Sequence, residues 1–406
     1  MATPATVSNL ADSSNVFAKD MYLQIARNND GQNLLFAPLG LSMAMAMVYN
    51  GAVERTERQI FRTMYFDVAS DSKEELNQLN YDIMRLFKKP TNQYTLSFAN
   101  KLFGSRQYEY NRDFKQVLMQ KYSAPLEKMD LSTDVEDAVQ HINNWVSERT
   151  NMIVTDMLKE GDISTNMSLV LISAFSIRGI WQESFPKENT KERPFLKGGI
   201  ENIDVQTMYT EANFSYKAMP EMKSNVLGIP YAGDTVSLFV VLPWNRTHGM
   251  EELETAIRSS NSLDGIFEGL QMTSMKVSLP LLNLTKSVDL AGNLTNLGID
   301  DLFVGHDAQL GGITSSPDVH VSLAEHKTFF SIREQGELPR EPTNGTKPDD
   351  QDTLFLANHP FMFFVRESTT GAILQMGRVA DPSAGATHSA VMSCALLALA
   401  LFMSLA

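Results

Sequence analysis

Seven histidines and a single cysteine are the obvious metal-binding and nucleophilic side chains of this 406-residue chain, and none sits in a productive pattern. The histidines are scattered and Cys394 stands near the C-terminus, so no cluster has the spacing of a metal site. There is no glycine-rich phosphate loop, no Gly-x-Ser-x-Gly elbow and no His-Glu-x-x-His helix. The sequence is read as a non-enzyme that needs no cofactor and no metal. The stretch that asks for an explanation is "SIREQGELPREPTNGTKPDDQDTLFLANHPFMFFV", residues 331–365. Apolar residues flank it, but its middle is Pro, Gly, charge and amides that cannot form a core. A polar loop cutting into a core so near the C-terminus is either functional or simply solvated.

The rest of the chain must position that loop. With 43% hydrophobic residues it can bury a large core, and no repeat or linker divides residues 14–380. The expectation is one domain over residues 1–382 and a separate segment at 383–406. A net charge of −14, spread along the sequence, argues against nucleic acid and against a purely electrostatic hold on anionic membranes. Arg85, Lys88 and Lys89 form a small basic patch, read as a solvated helix end. The 22 Met and 22 Phe read as core filler.

The two ends carry different signals. No basic start precedes an apolar run at the N-terminus, so no cleaved signal peptide is visible. That end leads into a helix with Phe17, Met21 and Ile25 on one face. The C-terminus passes from small, polar "SAGATHS" into "AVMSCALLALALFMSLA". This is the layout of a lipid-anchor (GPI) signal, with Ser383, Ala384 and Gly385 as candidate attachment points. A short tail anchor or a buried terminal strand fits the same run. Asn166, Asn213, Asn245, Asn283, Asn293 and Asn344 each open an Asn-x-Ser/Thr triplet and are glycosylation candidates. An extracellular or surface-attached glycoprotein is the preferred expectation, with a cytoplasmic protein as the alternative. Entry would use an unconventional or internal signal such as "NLLFAPLGLSMAMAMVYNGA", which also reads as a wholly buried core helix.

Helical patterns dominate the first part of the body. In "STDVEDAVQHINNWVSERT", Thr133 and Glu136 are spaced for a capping box. Val135, Ala138, Ile142, Trp145 and Val146 follow as one apolar stripe. Strand-like runs come next: "SLVLISAFSI", "VSLFVVLP", "MKVSLPLL" and "HKTFFSI". The first two are almost wholly apolar, as strands covered on both faces should be. Helices first and then mostly strands give an α+β class.

Several stretches in this order resemble one family. "LFAPLGLSMAMAMVYNGAVERTERQI" is similar to the second helix of the serpins, and "INNWVSERT" to the helix lying across their main sheet. "VLISAFSIRGIWQESF" resembles their central strand leading to a tryptophan, here Trp181, and "VLGIPYAGDTVSLFVVLP" a hairpin of their smaller sheets. "FLANHPFMFFV" fits their C-terminal signature. The resemblance runs from about Asn15 to Pro382. It implies the serpin fold, with helices packed around a large mixed central β-sheet, two smaller sheets and an exposed reactive-centre loop at about 337–353. It also implies a monomer of the serine protease inhibitor class, whose partners are proteases met at that loop.

In inhibitory serpins the cleaved loop enters the main sheet as an extra strand and drags the trapped protease with it. "FFSIREQG" is similar to the family's approach to the hinge, with Glu334 and Gly336 in place. Small residues are then expected, but Glu337, Leu338, Pro339, Arg340, Glu341 and Pro342 follow. Alternation would send Glu337, Pro339 and Glu341 to one face, which the resemblance implies is the buried one. An unpaired buried carboxylate costs several kcal/mol, and each Pro leaves a carbonyl short of a partner at roughly 1–3 kcal/mol. Spacing by the family makes Asp349 or Asp350 the reactive bond. His326 is kept from the family's shutter, while Ala37, Gly40 and Ser173 stand at its Ser and Asn positions. Efficient inhibition is therefore doubtful; the alternative is a non-inhibitory serpin acting as carrier, protease substrate or surface binding module.

Overall fold

A computed structural model describes residues 6–88, 93–336 and 353–384. Among these, nine α-helices form: α1 Val7–Arg27, α2 Pro38–Tyr49, α3 Glu54–Thr63, α4 Phe66–Ala69, α5 Lys73–Phe87, α6 Arg112–Val117, α7 Val135–Arg149, α8 Gly249–Ser259 and α9 Leu290–Leu297. The strands are β1 Leu34–Phe36, β2 Tyr94–Ser105, β3 Glu127–Met129, β4 Leu169–Gly179, β5 Lys191–Lys197, β6 Glu201–Met219 and β7 Ser224–Pro230. They continue as β8 Val236–Pro243, β9 Gln271–Pro280, β10 Leu282–Asp289, β11 Val321–Ile332, β12 Thr353–Leu356, β13 Phe361–Glu367 and β14 Ile373–Val379.

Local chemistry explains the elements that matter most. In α1, Phe17, Met21 and Ile25 are buried together, as their spacing requires. Every residue of α2 is buried, with Pro38 at its first turn where a missing N–H does no harm. Glycine, Ala, Met and Leu let this helix pack on all sides, which is why it carries no polar stripe. The apolar stripe of α7 faces inward through Ala138, Ile142 and Val146. Its cap differs from the expected Thr133–Glu136 box: Asp134 accepts from the Asp137 N–H, while Thr133 bonds Asp130. An aspartate one position closer to the helix competes better, since its carboxylate also meets the helix dipole.

Five strands make the central sheet in the order β10-β11-β4-β2-β3, with β11–β4 and β2–β3 parallel and the others antiparallel. The two smaller sheets expected from sequence are joined here into one nine-stranded sheet. The joint is the 19-residue β6, which pairs β5 through Glu201–Thr207, β9 through Thr207–Tyr216, and β7 through Ser215–Met219. The main core lies between the central sheet, the larger sheet and helices α1 and α2. A second, smaller core under α7 covers the opposite face of the central sheet. Both faces of β4 are therefore buried, which accounts for its nearly unbroken apolar sequence. Among the described residues no helix is long and apolar enough to cross a membrane.

Candidate functional site

The site grows out of two strands, β4 and β11. They pair in parallel from Ala324↔Leu171 to Phe329↔Ser176, while their outer neighbours β2 and β10 run antiparallel to them. This seam has a direct consequence. A strand entering between β4 and β11 from the top of β11 would run antiparallel to both. It would replace one parallel pairing with two antiparallel ones, which are slightly more stable per residue.

His326 closes the seam from below. Its ring is fully buried, Nε2 accepts the Ala37 N–H at 3.0 Å, and Nδ1 lies 2.9 Å from Ser173 Oγ across the two strands. With Nε2 occupied as an acceptor, the proton sits on Nδ1 and the ring is neutral. Burial without a countercharge pushes its pKa down to about 3. The structure thus brings His326 and Ser173 together, and the Ala37 contribution is a backbone amide rather than a side chain. Gly40 supplies its carbonyl to Asn100 Nδ2 at 2.9 Å. Asn100, directly opposite Ser173 on β2, is a member of this group that sequence reading missed. An asparagine inside the apolar run "FANKLF" was the available signal, because a strand interior tolerates an amide only with partners. The group is under-bonded, since Asn100 Oδ1 is buried without a partner.

Glu325, the neighbour of His326 on β11, faces the other side. Burial first, then the charges of Asp289 and Asp162, raise its pKa to about 7. Lys327 is held beside it by Asp156, Nζ to Oδ1 at 3.0 Å. A carboxyl whose folded pKa lies above its unfolded value stabilises most when protonated, and that contribution is lost as pH rises through about 7. Glu325→Gln is therefore expected to raise the unfolding midpoint at pH 8 and to leave it unchanged at pH 4, as checked by scanning calorimetry.

The root of the loop is built separately, above the seam. Trp181 stands past the end of β4, not beside His326 and Ser173. Its Nε1 donates to the Arg333 carbonyl at 2.6 Å, and its ring stacks on Tyr231 at 4.4 Å between centroids. The Phe185 N–H donates to the Glu334 carbonyl at 2.8 Å, and Thr190 Oγ1 donates to Glu334 Oε1 at 3.1 Å. Gly336 then turns with φ +76 and bridges antiparallel to Ile180. A Cβ there would lie 2.1 Å from the Gly179 carbonyl oxygen, so only glycine fits. Gly336→Ala is expected to cost about 1–2 kcal/mol from the left-handed backbone alone. It should also loosen the root, seen as faster limited proteolysis after residue 336 together with a lower unfolding midpoint.

Glu337, Pro339, Asn344, Asp349, Asp350 and Gly385 lie outside the described residues. Ser383 and Ala384 are exposed at the end of the body, where the Ser383 hydroxyl donates to Asp381 Oδ1 at 2.6 Å. Asn166, Asn213 and Asn245 are exposed. Asn283 and Asn293 are half-buried and already engaged: Arg333 Nη2 donates to Asn283 Oδ1, and Asn293 Nδ2 donates to the Asp289 carbonyl.

A central sheet with a parallel seam, a buried histidine latch and a strand leading to a glycine turn anchored beside a buried tryptophan are the features of one class of protein. Residues 12–382 match the serpin (serine protease inhibitor) family, and the chain belongs to it. That family consists of protease inhibitors rather than enzymes. The leukocyte elastase inhibitor of Xenopus tropicalis is 33% identical over 381 residues, covering 93% of this chain and 100% of that protein. The human leukocyte elastase inhibitor is 30% identical with the same coverage. Uncleaved ovalbumin superposes with a TM-score of 0.82 at 28% identity, over 92% of this chain and 100% of its own. Maspin, at 23% identity and a TM-score of 0.83 over 93% of this chain and 99% of its own, shares the fold.

Proposed function

We propose that this protein offers residues 337–352 to serine proteases as bait, and that it is cleaved as a substrate more often than it traps the enzyme. The inhibitor class follows from the family; the weak trapping follows from the hinge. The observation that carries the reading is the antiparallel Ile180–Gly336 bridge. A strand continuing that register into the seam would set Glu337 opposite Gly179, Pro339 opposite Ile177 and Glu341 opposite Phe175. Directly opposed residues share a face, and Ile177 and Phe175 belong to the main core. Glu341 would then enter beside a fully buried ring, and the neutral His326 offers it no countercharge. Inhibition is a race between insertion and hydrolysis of the acyl-enzyme. If about 3–4 kcal/mol of these misfits appears in the barrier, insertion slows roughly 100- to 1000-fold, enough to lose the race.

Pancreatic elastase, chymotrypsin and trypsin are the test enzymes, since relatives carry the name of an elastase inhibitor. The expected product on a denaturing gel is nicked protein with little covalent complex, the cut falling at Asp349, Asp350 or elsewhere between residues 337 and 352. Detergent-stable complex at near-equal stoichiometry would overturn the reading.

The same proposal places the protein on the secretory side of the membrane, glycosylated and tethered through residues 383–406. The exposure of Asn166, Asn213 and Asn245 supports this. Loss of mass on treatment with an N-glycanase is the expected result. An unchanged mass together with cytosolic fractionation would favour the cytoplasmic alternative.

A further inference from the structure

The turn between β5 and β6 holds Ile200 at 87% exposure, the highest of any large apolar side chain among the described residues. The turn is seated on its neighbour. Gly199, at φ +75, lies so close to Thr247 that a Cβ would stand 2.5 Å from the Thr247 carbonyl oxygen. Thr247 belongs to the loop between β8 and α8, which also carries Trp244, half exposed. Trp244 Nε1 donates to Asn225 Oδ1 at 2.9 Å, so the polar edge of the ring is satisfied within the protein and the surface it offers to solvent is apolar. Single exposed apolar side chains are ordinary. What sets this pair apart is the place where the chain leaves the body.

The C-terminus departs from the same corner. The Gly198 N–H donates to the Ala380 carbonyl at 2.9 Å, and Lys197 Nζ pairs with Asp381 Oδ2 at 3.0 Å. Ser383 and Ala384 follow, both exposed. Only residues 385–389 separate them from the apolar run 390–406, at most about 20 Å of fully extended chain. A body tethered at this point turns its exit face to the bilayer, and Ile200 and Trp244 are the apolar side chains that this face presents. A net charge of −14 gives no general electrostatic hold on anionic lipid, so the contact has to be apolar.

We infer that Ile200 and Trp244 enter the interfacial region of a zwitterionic lipid bilayer beside the tether and so fix the orientation of the body on the membrane. Trp is the side chain most suited to that depth, and Ile adds apolar area next to it. The inference rests on the tether proposed above, and adds which face meets the lipid. It also requires Asn245 to stay free of sugar, since a glycan there would hold Trp244 off the surface. The Asn245 side chain is already engaged: Oδ1 accepts the Thr247 and His248 N–H groups at 3.0 and 3.2 Å, and Nδ2 donates to Glu252 Oε1 at 3.3 Å.

Trp244 makes the inference directly measurable. The full-length protein, with its tail or lipid intact, is mixed with phosphatidylcholine vesicles, either plain or brominated near the top of one acyl chain, where the heavy atom quenches an indole that reaches it. Trp244 is one of three tryptophans; Trp181 is buried and Trp145 lies on α7. The expected result is that the protein floats with the vesicles, and that brominated lipid removes about a third of the emission seen in plain lipid, a loss that Trp244→Phe abolishes. Ile200→Asp, at an exposed turn position, should keep the parent's unfolding midpoint and its flotation while losing about half or more of that quenching. Flotation without quenching, quenching that survives Trp244→Phe, or a sugar on Asn245 of the floated protein in a peptide mass map would overturn the inference and leave the tether standing. Failure to float would overturn the tether, and this inference with it.

Discussion

Replacing Glu337 with Thr, and Pro339, Glu341 and Pro342 with Ala, is expected to speed loop insertion roughly 100- to 1000-fold. Each change removes a named obstacle. The two carboxylates no longer need desolvation opposite Gly179 and Phe175, and the two restored N–H groups complete the ladder. The seam itself is already suited to receive a strand, because an antiparallel guest matches both β4 and β11. Stopped-flow mixing with elastase, followed by a denaturing gel, would register the change as nicked product giving way to covalent complex. If the four-fold variant traps no better than the parent, the obstacle lies in opening the seam and not in the loop's composition.

His326→Ala carries the second large effect, and its size depends on pH. At pH 8 the variant is expected to lose about 2–4 kcal/mol, because the Ala37 N–H is left buried and unpaired and the ring's volume becomes a cavity. In the parent, the folded pKa of about 3 lies below the unfolded value near 6.5. As pH falls below 6.5 the unfolded chain therefore takes up a proton that the folded chain refuses. Stability drops by about 1.4 kcal/mol per pH unit until about pH 3. By pH 5 the parent has lost about 2 kcal/mol by this route, so the penalty of His326→Ala should shrink by that amount. Denaturant titrations of both proteins at pH 8 and pH 5 would check it. A penalty independent of pH would mean that the ring takes up its proton as readily in the fold as in the unfolded chain. The adjacent Glu325 pushes stability the opposite way with pH, so the comparison must be between variant and parent, not between two pH values of the parent.

What could be read from sequence divides along physical lines. Helix α2 and strand β4 were legible because total burial leaves a one-letter signature: long apolar runs bounded by Pro, Gly or polar residues. Gly336 was legible through the family pattern, and its reason, a backbone oxygen where a Cβ would sit, is visible only in three dimensions. Asn100 was not legible, since its importance arises from lying opposite Ser173 in the β2–β4 register and above the Gly40 carbonyl. The cap of α7 was misplaced by one residue because Ser132, Thr133 and Asp134 all suit that position, and Thr133 is captured by Asp130 instead. The union of the smaller sheets depends on the 19-residue β6 changing partners along its length, which period-two alternation does not report.

Cleaving the purified protein once between residues 340 and 352, and comparing its thermal unfolding with the uncut form, tests the central claim without knowledge of any target enzyme. A loop barred from the seam by Glu337, Pro339 and Glu341 predicts midpoints that agree to within a few degrees. A nicked form that unfolds tens of degrees higher would mean that the loop inserts regardless, and that this serpin is a working trap.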